Sequence, residues 1–339
     1  MKLQVVKAGP MTSLQDMGRT GYQKSGVLVN GAMDTWSLRL ANLLVGNAQG
    51  EAALEMTLQG PELILPAGLI FALTGADMSP SLDGVPVPEG RPILVLQESH
   101  LRFGICRRGC RGYMAVSGGF DVPVVMGSKS TYLRANIGGF EGRALQAGDR
   151  LPVGSPSALL QKLTAHLPSR ASQKVFAAVS WFIPEDFLFD ASPVRATKGL
   201  QYDWFTEESC QAFFSKPFLV TMQSDRMGYR LQGEKLALRE PREMISEPIA
   251  FGAVQVADGN PILLLADRQT TGGYPKIAQV VLADLARIGQ RIFDTQIQFS
   301  LVSLKEAEAL YLKQEACLQE LAAAIRQRME QEIGKIAFQ

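Results

Sequence analysis

Residues 255–279 read QVADGNPILLLADRQTTGGYPKIAQ. The run Ile262 to Leu265 has the length and composition of a buried strand. It ends at Asp267 and Arg268 and passes into Thr270, Thr271, Gly272, Gly273, Tyr274, Pro275 and Lys276. An apolar strand that stops at charges and paired glycines delivers side chains to one point in space. Glycine reaches backbone angles closed to other residues and lets a ligand approach the main chain, while the threonines and Lys276 supply donors. The stretch reads as a strand followed by a binding turn.

The same pattern of short strand and turn recurs along the chain. LQVVKAG, PELILPAG, LIFALTG, PILVLQ, YMAVSGG, KVFAAVSWFI and PFLVTMQ are rich in Val, Ile, Leu and Phe and are punctuated by Gly, Pro and Asp. That spacing predicts a mainly β protein built from barrels or sandwiches rather than alternating strand and helix units. Three segments read as helices: Thr35 to Leu44, with Asp34 as its cap, Ile277 to Leu285, and the tail. In the tail, Ser303 and Glu306 form a capping box, and Leu310, Tyr311, Cys317, Leu318, Leu321, Ala324 and Ile325 recur at helical spacing.

Composition sets outer limits. The chain has 339 residues, 46% of them apolar, and 34 basic against 33 acidic groups give a formal charge of +1. Without clustered positive charge there is no expectation of nucleic acid or of an anionic membrane as partner. No stretch approaches the ~20 apolar residues of a membrane helix, and MKLQVVKAG lacks the apolar core of a signal peptide, so a cytoplasmic protein is expected. The four cysteines, Cys106, Cys110, Cys210 and Cys317, fit a reduced compartment. The CxxxC spacing of the first two, with no second Cys or His pair, predicts no metal site.

A weak repeat organises the chain. RTGY at Arg19 to Tyr22 returns as RMGY at Arg226 to Tyr229. An acid then follows in each half (Glu55, Glu247), and each half has an apolar strand ending in Ala-Asp at Asp77 and at Asp267. Two related β-domains are therefore expected at 1–160 and 161–302, followed by a helix at 303–335. The boundary is placed in the Pro- and Ser-rich stretch Gly154 to Lys174. There is no GxxxxGK[ST] loop, no GxGxxG and no GxSxG near His100 or His166.

The strings TSLQDMGRTGYQKSGVLVNGAMD, TGADMSPSLDGVPV, YMAVSGGFDVP, MGSKSTY, GRALQAGD, SDRMGYRL and DRQTTGGYPK, in that order, resemble the KipA family. That family comprises the C subunit of 5-oxoprolinase (PxpC) and the biotin-dependent carboxyltransferase domain of urea carboxylase, often labelled allophanate hydrolase subunit 2. The resemblance implies two cyclophilin-like β-barrel domains in a cytoplasmic hetero-oligomer. It implies a hydrolase that opens the cyclic amide 5-oxo-L-proline to L-glutamate at the expense of ATP, active only with a KipI-like B component and a LamB/YcsF-like A component. ATP then acts through the complex. Biotin enters only if the chain is instead a carboxyltransferase component acting on a small amide such as urea. A third role in the family is that of an antagonist binding a KipI-type kinase inhibitor. Asn30 stands where the family often has Ser, and Leu28 and Ala257 where it often has Pro.

Opening a lactam calls for cations near developing oxyanion or phosphoryl charge, a carboxylate to manage the ring N–H, and fixed donors. Lys276, Asp267 and Asp77 are the catalytic candidates. Arg19, Arg226, Thr270, Thr271, Gly272, Gly273 and Tyr274 are the binding candidates, joined by Ser117, Gly118 and Gly119 as a second glycine turn after a strand. The plain alternatives are that the aspartates only form turns and that the arginines only pair with nearby acids.

Overall fold

A computed structural model describes residues 1–170 and 174–334. The chain divides into two compact units: one comprises 1–18, 34–189 and the tail from Cys317, the other 19–33 and 190–316. The division near Phe189 follows from pairing. Phe176–Ala178 hydrogen-bonds to Ile93–Val95 and so ties the segment after residue 160 to the first unit. The stretch read as a linker holds a helix, Ala158–His166, and its residues 171–173 lie outside the described ones.

In the first unit, two antiparallel six-stranded sheets share one core. One sheet runs Arg150–Pro152, Lys2–Lys7, Glu62–Leu65, Ser99–Arg102, Ser81–Leu82, Val85–Pro86. The other runs Phe176–Ala178, Ile93–Val95, Ile70–Asp77, Arg108–Val116, Ala53–Thr57, Thr12–Gln15. Alternation assigns the faces: Leu54 and Met56, Phe71 and Leu73, and Met114 and Val116 point into the core with Leu3, Val5, Leu63 and Leu65. The intervening Glu55, Thr74 and Tyr113 are buried on the opposite face, where helix α1 (Thr35–Leu44) packs. Asp34 caps that helix by accepting the Ser37 N–H at 2.9 Å.

This second face holds a buried polar network. Thr74 donates to the Ser37 carbonyl at 2.8 Å, the Asp34 N–H donates to the Tyr113 hydroxyl at 2.9 Å, and Tyr113 donates to Glu55 Oε2 at 2.6 Å. Ser37 Oγ lies 2.7 Å from Asp34 Oδ2 and 2.9 Å from Glu185 Oε1. One hydroxyl proton can serve only one of two carboxylates, so one carboxyl must carry a proton of its own. Burial beside the Asp34 charge favours the proton on Glu185, whose Oε2 accepts the Gly75 N–H at 2.9 Å. Burial, reinforced by the Asp34 charge, pushes Glu185 up to about 8.

The second unit is a closed seven-stranded barrel ordered Val194–Lys198, Lys276–Val280, Ala253–Ala257, Asn260–Leu264, Gly228–Gln232, Pro217–Val220, Gln296–Leu301. Its closing pair, Val194–Lys198 with Gln296–Leu301, is the one parallel pairing of the barrel. An aromatic cluster fills the interior, with Phe213 stacked on Phe299 at 4.6 Å between ring centroids. A two-residue ladder outside the barrel pairs Glu247–Pro248 with Thr271–Gly272. The remaining helices are α2 (Ala158–His166), α3 (Glu207–Ser215), α4 (Leu282–Gly289) and the long α5 (Leu304–Gly334).

Two expectations change. Of the two barrels, one is closed; the first unit keeps two separate sheets, with Pro152 and Pro86 in the edge strands of one of them, where a missing N–H is tolerated. Strand spacing alone does not encode whether sheet edges meet. The helix expected over Ile277 to Leu285 is instead the barrel strand Lys276–Val280 followed by α4 from Leu282. Ile277, Ala278 and Val280 are buried in the barrel core and the strand pairs on both sides, an environment that favours β-branched side chains. The helices at Thr35 and in the tail stand as read, with Ser303 and Glu306 exchanging capping hydrogen bonds of 2.7 and 3.2 Å; residue 335 lies outside the described residues. The four cysteines are free thiols.

Candidate functional site

The stretch at 267–276 wraps one end of the barrel wall. Strand Asn260–Leu264 pairs with Gly228–Gln232 through Gly228 and Leu264, which sets Arg226 beside Asp267, and the Asp267 N–H donates to the Arg226 carbonyl at 2.9 Å. The side chains meet as a fork: Arg226 Nε to Asp267 Oδ2 at 2.9 Å and Nη2 to Oδ1 at 3.1 Å. Asn30 Nδ2 also donates to Oδ1, and Arg226 Nη2 reaches the Gly31 carbonyl. Both partners are nearly enclosed, with side chains 10% and 11% exposed. Both oxygens of Asp267 are therefore engaged, and its geometry suits holding the wall in place rather than receiving a proton.

Lys276 begins the strand Lys276–Val280, and its side chain is 6% exposed. Its ammonium donates to Glu247 Oε2 at 2.8 Å. Gln201 closes the group from a third direction. Its Oε1 accepts the Lys276 N–H at 3.1 Å, its own N–H donates to the Lys276 carbonyl at 3.1 Å, and its Nε2 donates to Glu247 Oε2 at 3.2 Å. The hydrogen bond from Lys276 holds the Glu247 carboxyl below the usual carboxylate range.

Between these groups the turn is set by steric fit. Gly272 and Gly273 do not take the left-handed conformation that the sequence suggested. A Cβ on Gly272 would lie 2.5 Å from Ile249 Cδ1 and 2.7 Å from Gln255 Nε2, so a larger residue there would have to push these side-chain ends aside. Thr270 is half-buried and accepts the Ile249 N–H through its carbonyl at 3.1 Å, and Thr271 is exposed. Arg268, close to this turn, is brought down to about 10 by burial. Gly273, Tyr274 and Pro275 form one wall of an open cleft of about 640 Å³ that Phe205, Leu238 and Arg242 also line. Arg19 is fully buried, with its N–H on the Val29 carbonyl at 2.8 Å.

The first unit holds the other candidates. Asp77 ends its strand as a turn former, accepting the Ser79 N–H at 2.8 Å. Burial, reinforced by the Asp77 charge, pushes the neighbouring Glu89 up to about 7. Ser117 is buried, and the two glycine N–H groups of the second turn are already used. The Gly118 N–H meets Asn47 Oδ1 at 3.0 Å and the Gly119 N–H meets the Val116 carbonyl at 3.0 Å. Gly118 has φ +89°, and a Cβ on it would sit 2.5 Å from the Gly154 carbonyl oxygen. The glycine N–H groups of this turn therefore face the protein itself, one on a side chain and one on the main chain.

Three residues of the geometry were not among the sequence candidates: Glu247, Gln201 and Asn30. Glu247 left a signal as the acid of the internal repeat, and Asn30 as a departure from the family's usual Ser. Asn30 has φ +60°, a conformation Asn tolerates better than most residues, and its carboxamide reaches Asp267. Gln201 left no signal, because its role depends on pairing between neighbouring strands far apart in sequence.

Among known proteins, the chain is 39% identical to the C subunit of 5-oxoprolinase from Escherichia coli K12 over 94% of its own length and 97% of the relative's. It is 38% identical to the corresponding 5-oxoprolinase C subunit of Haemophilus influenzae over 93% of this chain and 96% of that one. The solved urea carboxylase of Kluyveromyces lactis superposes with a TM-score of 0.82 at 30% identity over 94% of this chain, which spans 29% of that larger one. A family model for the carboxyltransferase domain, subdomain A and B, matches residues 25–301. The chain belongs to this carboxyltransferase-domain family, to which the 5-oxoprolinase C subunits are its full-length relatives.

Proposed function

We propose that the chain is the C subunit of an ATP-dependent 5-oxoprolinase, opening 5-oxo-L-proline to L-glutamate together with a LamB/YcsF-like protein and a KipI-like protein. The observation that carries this reading is end-to-end correspondence. The 5-oxoprolinase relative is matched over 97% of its length, whereas the urea carboxylase chain is matched over 29% of its own.

Ring opening breaks the amide C–N bond, places the hydroxyl of a water on the carbonyl carbon and a proton on the nitrogen. Hydrolysis of ATP in the complex drives it. The barrel residues suit the holding part of this chemistry. Lys276 and Gln201 offer an ammonium and an amide N–H aimed at a single oxygen, and Thr271 and Tyr274 offer exposed hydroxyls beside the cleft. Arg226, Asp267 and Asn30 act as positioning residues that brace the strand end carrying the turn. Among the described residues no helix is long and apolar enough to cross a membrane. The setting proposed for the complex is the cytoplasm.

The test mixes the chain with its two partner proteins and measures glutamate and ADP. Both are expected only when all three proteins, ATP and 5-oxo-L-proline are present, with Lys276→Ala lowering the rate at least about 100-fold. Full activity without this chain would overturn the reading. The second reading, a biotin-dependent carboxyltransferase component acting on a small amide, is favoured by the 0.82 TM-score to urea carboxylase. It predicts loss of activity on adding avidin, where the first predicts none.

A further inference from the structure

The group around Lys276 is asymmetric. Its donors are built into the barrel: Lys276 opens a barrel strand, and Gln201, 6% exposed, is tied to the Lys276 main chain by two hydrogen bonds that do not involve Glu247. Its acceptor is not. Glu247 lies on the two-residue ladder outside the barrel, its side chain is 43% exposed, and it follows the exposed segment 240–243 and Ile245, itself 89% exposed. Both donors converge on Oε2, at 2.8 and 3.2 Å, and Oε1 takes no hydrogen bond among the described residues.

We propose that Glu247 Oε2 occupies the place of a ligand carboxylate oxygen, and that a small carboxylate displaces Glu247 to bind Lys276 Nζ and Gln201 Nε2. Resting on the function proposed above, that ligand is the substrate, through the carboxylate of 5-oxo-L-proline. An enclosed ammonium needs a counter-anion at all times, so only an anionic ligand can take the position, and a neutral lactam cannot. The resident glutamate then acts as a tethered competitor. Apparent affinity is reduced by the fraction of time the position is free, so a latch open about a tenth of the time weakens binding about tenfold.

Isothermal titration of the full-length chain with acetate, 5-oxo-L-proline and 2-pyrrolidinone tests this in the wild type, Glu247→Ala, Glu247→Gln and Lys276→Met. The expected result is that Glu247→Ala binds acetate and 5-oxo-L-proline about tenfold more tightly than wild type, with Glu247→Gln changing in the same direction. Lys276→Met is expected to lose both ligands, and 2-pyrrolidinone to bind none of the proteins. Tighter acetate without tighter 5-oxo-L-proline would support the carboxylate position and overturn the substrate named for it. Unchanged or weaker binding of both in the two Glu247 variants would overturn the proposal, as a purely structural ion pair or a glutamate that contacts the ligand directly requires. That outcome leaves the three-protein activity test to decide the function separately.

Discussion

Removing one partner of the Arg226–Asp267 pair should be among the most damaging polar changes in the barrel unit. The fork has contacts of 2.9 and 3.1 Å between side chains about a tenth exposed, so the charge left behind cannot be rehydrated without opening the wall. Breaking a buried pair in this way costs about 3–5 kcal/mol, against at most about 1 kcal/mol for an exposed pair. In Arg226→Met, Asp267 keeps only the Asn30 amide as a side-chain donor, and in Asp267→Leu the guanidinium keeps the Gly31 carbonyl, so each single variant leaves a buried charge without its counter-ion in the fork. The double variant should recover most of the stability, because an apolar pair of similar volume is often neutral or better. Urea unfolding followed by Trp204 fluorescence, in a Trp36→Phe, Trp181→Phe background, confines the signal to the barrel unit. A loss of about 3–5 kcal/mol corresponds to roughly 6–20 °C in melting temperature. Single losses below about 1 kcal/mol that simply add in the double variant would refute the reasoning, since they would mean that water reaches the pair.

Three further outcomes are expected. Glu185→Gln tests the proton count at Ser37. Folded Glu185 titrates at about 8 against an ordinary value of 4.5, so between those pH values the folded state holds a proton that the unfolded state has released. The Glu185 contribution to stability should therefore fall as pH rises through that window, by at most about 1.4 kcal/mol per unit, and level off above it; unfolding curves at several pH values should show a shallower fall in the variant, with the part below about 7 that Glu89 contributes remaining. Gly118→Ala should cost about 2 kcal/mol or more in denaturant titration, since it needs φ +89° and meets the Gly154 carbonyl, while ligand affinity stays unchanged because the turn's glycine N–H groups are occupied internally. Phe213→Ala should cost about 3–5 kcal/mol by the same method, since the ring is fully buried and stacked on Phe299.

Local pattern was a good guide wherever a local cause sets the structure. The cap at Asp34, the capping box at Ser303 and Glu306, and the strands at Ile70–Asp77 and Asn260–Leu264 depend on neighbours a few residues away. It failed over Ile277 to Val280, where the residues fit helix and strand equally well and pairing on both sides chose the strand. At the candidate site, the polar residues from Asp267 to Lys276 were visible as types but not as roles. Asp267 was legible as a catalytic or turn-forming acid and is a braced one, and the glycines looked conformational but neither takes the left-handed conformation.

What the sequence by itself determined is the class of structure, the family and the end of the strand where polar groups gather, because period-two burial, turn residues and motif order are written along one line. What only the tertiary structure decided is which charges meet. Lys276 and Glu247 are 29 residues apart and Gln201 lies 75 residues from Lys276, yet the lysine ammonium and the glutamine amide meet on one glutamate oxygen. Coulomb energy depends on that separation in space and on the water between the charges, and strand pairing in the barrel and in the ladder outside it sets both.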